Sequence, residues 1–317
     1  MNGMATSEIF LLLILSSAAV GLPFARAGTT HSSVPDEVND TIHKKALSLL
    51  RSSLQREDRW IKVHAAESLL FLGYSKGIRQ AFEFELSSKG AEPKYRIGIW
   101  RVLAQAAPDA AEREQWMSKM RAAFLDPAGP DRLHAAEALA KLGYRVQDRE
   151  ADAFKLISEI SDDRLAANTR WILANSGELD CQLSLADLLE SKEAAARFNT
   201  AYALRHLSHL SAPAEEKLHA ALSKEPANSN GRIYMISAVL VHTPPNQQKQ
   251  IKAELLSHVK TGDQAVKYEI CAALAKVGWK EDLLVLCSLL DDTNSDVRVG
   301  AASAVLQIER RDSHPHL

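Results

Sequence analysis

The chain of 317 residues is poor in cysteine and carries almost no net charge. Its three cysteines, Cys181, Cys271 and Cys287, are too few for a disulfide framework and lack the spacing of a zinc site. Lys and Arg number 38 against 40 Asp and Glu, the formal net charge is −2, and no block of like charge stands out. We therefore expect no nucleic-acid partner, because nucleic-acid binders usually carry a clustered basic surface.

The sequence also lacks the common catalytic signatures. It contains no Gly-Lys-Ser/Thr phosphate loop, no Gly-x-Ser-x-Gly elbow and no His-Glu-x-x-His zinc motif. We therefore expect no catalytic residues, no cofactor and no resident metal, and a protein that is not an enzyme.

The N-terminal residues have the pattern of an export signal. An apolar run from Ile9 to Val20 is followed by Ala25-Arg26-Ala27, a small-x-small site that predicts a signal peptide at 1–27 and cleavage before Gly28. The run is too short to persist as a transmembrane helix. We expect an exported protein, periplasmic or extracellular, without a stable membrane span.

A short pattern recurs eight times along the rest of the chain: a basic residue, two variable positions, a small or apolar residue, three variable positions and an apolar residue. The basic residues are Lys62, Arg96, Arg132, Arg164, Arg197, Arg232, Lys267 and Arg298. The steps between them are 34, 36, 32, 33, 35, 35 and 31 residues. A fixed period in this range is the signature of a stacked-repeat solenoid.

Alignment on the basic residue gives two columns. Three residues on stand Ala65, Ile99, Ala135, Ala167, Thr200, Met235, Ile270 and Ala301, and seven residues on stand Leu69, Leu103, Leu139, Trp171, Leu204, Val239, Leu274 and Val305. Both positions lie on one side of a helix, and a second apolar helix precedes each copy. The sequence thus predicts an all-α solenoid of about eight helix pairs over residues 37–311, after a linker at 28–36 and before a tail at 312–317.

The basic column itself is interpreted as scaffold. A residue type repeated in every copy is expected to pair with acids and turn carbonyls at the repeat junctions. Cys271 and Cys287 fall in helices that should pack together, so two alternatives stay open for them: a disulfide, or small buried hydrophobic residues.

Three stretches, 62–74, 132–144 and 296–305, resemble HEAT repeats, specifically the short bacterial type related to the repeats of phycobilin lyases. The resemblance implies an α-solenoid and says little about activity, since such solenoids serve as scaffolds, ligand-binding surfaces and, rarely, enzymes. In one HEAT-repeat enzyme family, the deoxyhypusine hydroxylases, adjacent His-Glu pairs hold two irons. None of the 11 histidines here is followed by Glu, so those ligands cannot be carried over.

HEAT-like stacks usually line their concave surface with the second helix of each pair, at positions two, five and nine after the basic residue. The candidate binding residues at these positions are His64, Glu67, Arg101, His134, Glu137, Lys141, Tyr202 and His206. At the same positions of the C-terminal repeats we expect fewer side chains of the types that bind partners. We expect a non-enzymatic interaction scaffold that binds a protein or glycan partner on this face.

The sequence His-Ala-Ala-Glu occurs twice, at His64/Glu67 and His134/Glu137. A His and a Glu three residues apart share a helix face and could reach one metal ion. The two copies are two repeats apart, which predicts a separation on the order of 20 Å and no shared ion. The alternative function is therefore a lyase-like or metal-assisted enzyme or chaperone that uses this cluster together with Arg101.

The signal peptide makes a direct prediction. The mature chain recovered from a secreted or periplasmic fraction should begin at Gly28 when its N-terminus is determined by mass spectrometry. An intact N-terminus on protein recovered from cytoplasm would overturn the expected localisation.

Overall fold

The computed structural model describes residues 36–175, 179–227 and 229–313, and in these ranges it contains helices and no β-strand. The predicted signal peptide, its cleavage site, the linker before residue 36 and the last residues of the tail lie outside the described residues. The predicted all-α solenoid is confirmed.

Sixteen α-helices form eight consecutive pairs in the described ranges. They are α1 Asp36–Arg56, α2 Arg59–Phe71, α3 Ile78–Lys89, α4 Tyr95–Gln105, α5 Ala110–Leu125, α6 Arg132–Lys141, α7 Ala151–Ser158, α8 Asp163–Ala174, α9 Leu179–Asp187, α10 Ala194–His206, α11 Ala212–Lys224, α12 Asn230–His242, α13 Gln248–Ser257, α14 Gln264–Val277, α15 Leu283–Leu289 and α16 Ser295–Ser313. Side-chain caps mark several helix starts. Asp109 accepts from the Glu112 amide at 2.8 Å and Asp263 from the Val266 amide at 2.9 Å, which satisfies amides that lack a partner within the helix.

The repeat register follows the sequence. All sixteen residues of the two aligned columns are buried, and the most exposed of them, Val239, is 2% exposed. The second helix of every pair therefore turns the same face into the core, and the predicted number of repeats is confirmed.

The basic column holds the repeat junctions together, as predicted. Lys62 Nζ lies 2.6 Å from Glu85 Oε1, and Lys267 Nζ lies 2.8 Å from Asp292 Oδ2. Arg298 donates instead to the turn carbonyls of Asp292 and Thr293. These side chains are committed to the scaffold and leave the opposite face of each second helix to define any binding surface.

The second helices form a closed ring, which the sequence did not predict. Each even-numbered helix packs against the next, and α16 packs against both α1 and α2. Four side-chain pairs join the two ends among the described residues: His43 Nδ1–Glu309 Oε2 at 2.7 Å, Lys45 Nζ–Asp291 Oδ2 at 2.6 Å, His64 Nδ1–Asp296 Oδ1 at 2.8 Å and Arg298 Nη2–Glu57 Oε1 at 3.6 Å. The concave face of the solenoid is therefore the inner wall of a ring.

All three cysteines fall within the described residues and are free thiols. Cys271 is fully buried on α14, and burial raises the pKa of its thiol. The structure therefore shows no disulfide between Cys271 and Cys287, and of the two only Cys271 is the small buried residue of the second alternative, since Cys287 is half-buried.

A search of the described helices finds none with the length and apolar character needed to cross a membrane.

The register predicts where truncation is costly. Leu139 is fully buried at the apolar position of the third repeat, so Leu139→Ala should lower the free energy of unfolding by about 2–5 kcal/mol. Leu284→Ala is the matched control: Leu284 is 67% exposed, and its truncation should change stability by about 0.5 kcal/mol or less. Urea titration measures both, and equal midpoints for the two variants would contradict the register.

Candidate functional site

A cavity of about 300 Å³ lies within the ring and is lined mainly by the second helices. Polar and aromatic side chains dominate its wall, among them His64, Glu67, Phe71, Gln105, Lys141, Tyr202, Arg205, His206, Tyr268, Lys276, Ser303 and Gln307. Most of these residues occupy positions two, five or nine after the basic residue. The sequence-based choice of the concave face is consistent with this geometry.

The first ion pair of the wall joins α2 and α4. Arg101 donates from Nε to Glu67 Oε1 at 2.5 Å and from Nη2 to Glu67 Oε2 at 2.8 Å, which is a two-pronged pair. Gln105 Nε2 adds a third donor to Glu67 at 2.9 Å. Burial alone would raise the pKa of Glu67, but the charges of Arg101 and Lys141 outweigh it and lower that pKa.

Both residues of the second ion pair lie on α6, and its lysine also contacts an aromatic ring on α10. Lys141 Nζ is 2.8 Å from Glu137 Oε1 and 5.4 Å from the centre of the Tyr202 ring. Burial opposes ionisation of Glu137, yet Lys141 and Arg101 hold its pKa at about 2. Glu137 is therefore an ionised partner of fixed cations at physiological pH.

The third ion pair links α10 to α14. Arg205 Nε lies 2.8 Å from Glu269 Oε1, and both side chains are almost completely buried. Burial raises the pKa of Glu269 in spite of the Arg205 charge. The guanidinium carbon of Arg205 also lies 5.1 Å from the centre of the Tyr202 ring, so Tyr202 is flanked by two cations.

Lys276 on α14 differs from the other cations of the wall. Its Nζ donates to the backbone carbonyl of Arg205 at 3.0 Å, and within the described ranges it forms no ion pair with a carboxylate. Burial, followed by the charge of Arg205, lowers the pKa of Lys276 to about 8, against a weaker opposing effect of Glu269. The cavity thus contains a half-buried amine whose charge is not balanced by its own counter-ion.

His206 forms an aromatic cluster at the edge of the same cavity. Its ring lies 4.7 Å from the centre of Tyr202 and 5.1 Å from that of Trp171. Burial, with the charges of Arg205 and Lys276, holds the pKa of His206 well below its usual value, so the imidazole is neutral. Among the described residues, neither His206 Nε2 nor Trp171 Nε1 has a hydrogen-bond partner.

The two histidines of the repeated His-Ala-Ala-Glu sequence have different positions. His64 lines the cavity and is held by Asp296 across the ring closure. His134 does not line it: the imidazole stacks on Trp60 with ring centres 5.5 Å apart, and burial lowers its pKa. The structure therefore brings together every predicted binding residue except His134, with Arg101 and Glu137 as the ionic partners of lining residues.

The repeated carboxylates are committed to cations. Among the described residues, no group of three or more His, Cys, Asp and Glu side chains is placed to hold a metal ion. Glu67 and Glu137 each accept from a basic side chain, so neither offers a free carboxylate of the kind that metal ions prefer. Arg101 on α4 links the two copies electrostatically, since it pairs with Glu67 and its charge helps lower the pKa of Glu137.

Two expectations from the sequence were wrong. Arg101 was expected to be a binding residue on the concave face, but its side chain is only 3% exposed and is not part of the cavity lining. The C-terminal repeats were expected to be bland, but Lys276, Ser303 and Gln307 line the cavity. Arg101 is buried where it pairs with Glu67 on the neighbouring helix α2. Ring closure explains the second correction, since α16 packs against α1 and α2 and so places C-terminal residues beside N-terminal ones.

Sequence reasoning also missed Arg205. It lies eight residues after its basic residue, a position occupied elsewhere by Leu70, Ala104, Ala140, Ile172, Leu240, Ala275 and Leu306. A single charge in an otherwise apolar column was the signal that would have found it. Tyr268 gave no comparable signal, because its column is apolar or aromatic throughout.

Comparison with protein-family models gave no match, and neither did comparison with curated proteins. Among solved structures, human deoxyhypusine hydroxylase in complex with glycerol matches with a TM-score of 0.40 and 16% identity, covering 87% of this chain and 100% of that one. Two engineered proteins match with TM-scores of 0.31 at 18% and 16% identity; the alignments cover 89% and 84% of this chain and 86% and 96% of theirs. These similarities concern the helical repeat fold alone, and they carry nothing about the cavity.

The ion pair of Arg101 predicts an asymmetric mutational response. Arg101→Met leaves Glu67 without its two-pronged partner in a covered wall, and we expect it to lower the free energy of unfolding by about 3–5 kcal/mol. Adding Glu67→Gln removes the unpaired charge and should recover part of that loss. Urea titrations of the parent, both single variants and the double variant measure the coupling; additive effects would contradict a direct pair.

Proposed function

We propose that this chain is an exported, non-enzymatic HEAT-repeat protein that binds a small polar molecule in its central cavity. The observation that carries the proposal is convergence: side chains from repeats one, two, three, five, seven and eight line one cavity. Repeats separated along the chain supply complementary charges there. A purely structural wall would not need such a concentration of polar groups around an open space.

The dimensions of the cavity favour a small ligand. A volume of about 300 Å³ lies at the lower end of about 300–1,000 Å³ for small-molecule pockets. A folded protein cannot enter it, whereas a small molecule or the terminal unit of a glycan can. In place of the expected protein or glycan partner we therefore propose a small molecule, or the terminal unit of a glycan, that fits into this cavity.

The alternative function, an enzyme that uses the His, Glu and Arg cluster of repeats one to three, is less well supported by the same geometry. A general acid or base needs a pKa near the working pH. The cations around Glu67 and Glu137 lower the pKa of both carboxyl groups, which opposes this role. His134, the second histidine of the expected cluster, packs on Trp60 outside the cavity. Arg101 serves Glu67 and does not line the cavity.

The class and the compartment rest on the sequence. The eightfold pattern with its two buried columns is of HEAT type, and the helix pairs fit a helical repeat fold. Export rests on the segment 1–27, with its apolar run and small-x-small site. Both statements are parts of the proposal and are tested separately from ligand binding.

Tyr202 provides the test of the cavity. Its ring lies between Lys141 and Arg205 and contacts His206, so Tyr202→Ala removes a central part of the wall. Saturation-transfer NMR against a library of small polar molecules should find ligands of the parent, and Tyr202→Ala should weaken them at least about fivefold.

Phe84→Ala is the matched control. Phe84 is 69% exposed on α3, an outer helix, and is not part of the cavity wall. Its removal should leave ligand affinity unchanged, with circular dichroism verifying that both variants are folded. Ligands that respond equally to the two substitutions, or no ligands at all, would show that the cavity is not the binding site.

A further inference from the structure

We infer that the ligand of the central cavity is a small monocarboxylate, and that Lys276 binds its carboxylate group. This inference rests on the proposed function and adds the chemical class of the ligand. Its basis is the pairing of charges around the cavity.

Three Lys or Arg side chains line the cavity: Lys141, Arg205 and Lys276. Lys141 pairs with Glu137, and Arg205 pairs with Glu269. Of these three side chains, Lys276 alone has no carboxylate partner among the described residues. Two other carboxylates at or near the wall have partners elsewhere, Glu67 with Arg101 and Asp296 with His64. Lys276 is therefore the lining cation that can receive an anionic group from a ligand.

The position of Lys276 fits a binding role. The side chain lines the cavity, and its Nζ donates to one neutral acceptor, the Arg205 carbonyl, at 3.0 Å. An ammonium group has three protons to donate, so two remain for a ligand. A buried charge without a counter-ion is costly, and a bound carboxylate would relieve that cost.

The groups that face Lys276 do not supply the missing negative charge. Arg205 and the neutral His206 face Lys276 from α10. The charge of Lys276 also helps to lower the pKa of His242 on α12. Glu269 on α14 is already paired with Arg205. On α16, Arg311 donates to the carbonyls of Ala275 and Gly278 beside it and adds a further positive charge.

One part of the wall is apolar or aromatic and fits a flat body on the ligand. Phe71, Tyr268, Ala272 and Ala275 line the same cavity. A single compensating lysine matches one negative charge better than the two of a phosphate monoester, and Lys binds as a point charge without the fork that Arg offers to phosphate. A monocarboxylate with a compact ring meets these requirements.

Isothermal titration calorimetry on the mature chain tests the inference with matched probes. Benzoate is compared with the neutral benzamide, D-glucuronate with D-glucose, and benzoate with phenyl phosphate. We expect at least one carboxylate to bind tenfold or more tightly than its neutral counterpart and than phenyl phosphate. Lys276→Met should abolish that preference, whereas Lys260→Met, at an exposed position away from the cavity, should not alter it.

The pH dependence has a defined sign. Carboxylate probes stay ionised above pH 6, so only the loss of the Lys276 proton weakens them, and its pKa is about 8 in the free protein. The affinity for carboxylate probes should be nearly constant from pH 6.5 to 7.5. Above the pKa of Lys276, each further pH unit should weaken that affinity by up to about tenfold, while neutral probes show no such loss.

The outcomes separate the two proposals. If neutral or cationic probes bind better than carboxylates and Tyr202→Ala weakens them, the cavity is a ligand site but the inferred ligand class is wrong. If carboxylates bind and Lys276→Met leaves them unaffected, the assignment of Lys276 is overturned. If no probe of any charge binds, the central cavity fails as a site, and both proposals fall.

Discussion

Packing of α16 against α1 and α2 is the constraint on which the rest of the molecule depends. An open solenoid leaves its terminal repeats with one uncovered side, which normally requires a polar capping repeat. Here each end covers the other, and Val63 at the start of the ring and Val305 at its end are both fully buried. His64 and Asp296 join the same two ends at the edge of the cavity. Closure thus determines both the stability of the termini and the character of the inner face.

Enclosure changes what polar side chains on that face must do. On an open concave surface, Glu67 or Lys141 would be solvated and each ion pair would contribute little. In the ring the side chains of these pairs are mostly buried, so an unpaired charge is costly and pairing becomes necessary. The pairs connect different helices: α2 with α4 through Arg101, and α10 with α14 through Arg205. Such pairs favour one relative placement of the inner helices over slipped alternatives.

The sequence predicted the local and periodic parts of this structure, because they depend on neighbours one repeat away. The column from Ala65 to Ala301 and the helix pairs follow from spacing, and the resemblance to HEAT repeats implies the concave face. Ring closure depends on the small rotation between successive repeats, summed over eight copies, and no short pattern encodes that sum. The roles of Lys276 and Ser303 in the cavity wall were therefore inaccessible to reasoning from the sequence, although the isolated charge of Arg205 in an apolar column was visible.

Burial in the ring wall also explains why Lys276, which has no carboxylate partner among the described residues, is informative. Most buried polar groups in proteins find partners, so an exception needs a physical reason. Around this cavity the carboxylates are paired and the basic residues of the repeat junctions are occupied elsewhere. Lys276 keeps only a backbone carbonyl, and burial beside Arg205 lowers its pKa toward the physiological range. A scaffold gains nothing from a charge placed there without a counter-ion, whereas a site that receives its counter-ion with the ligand does.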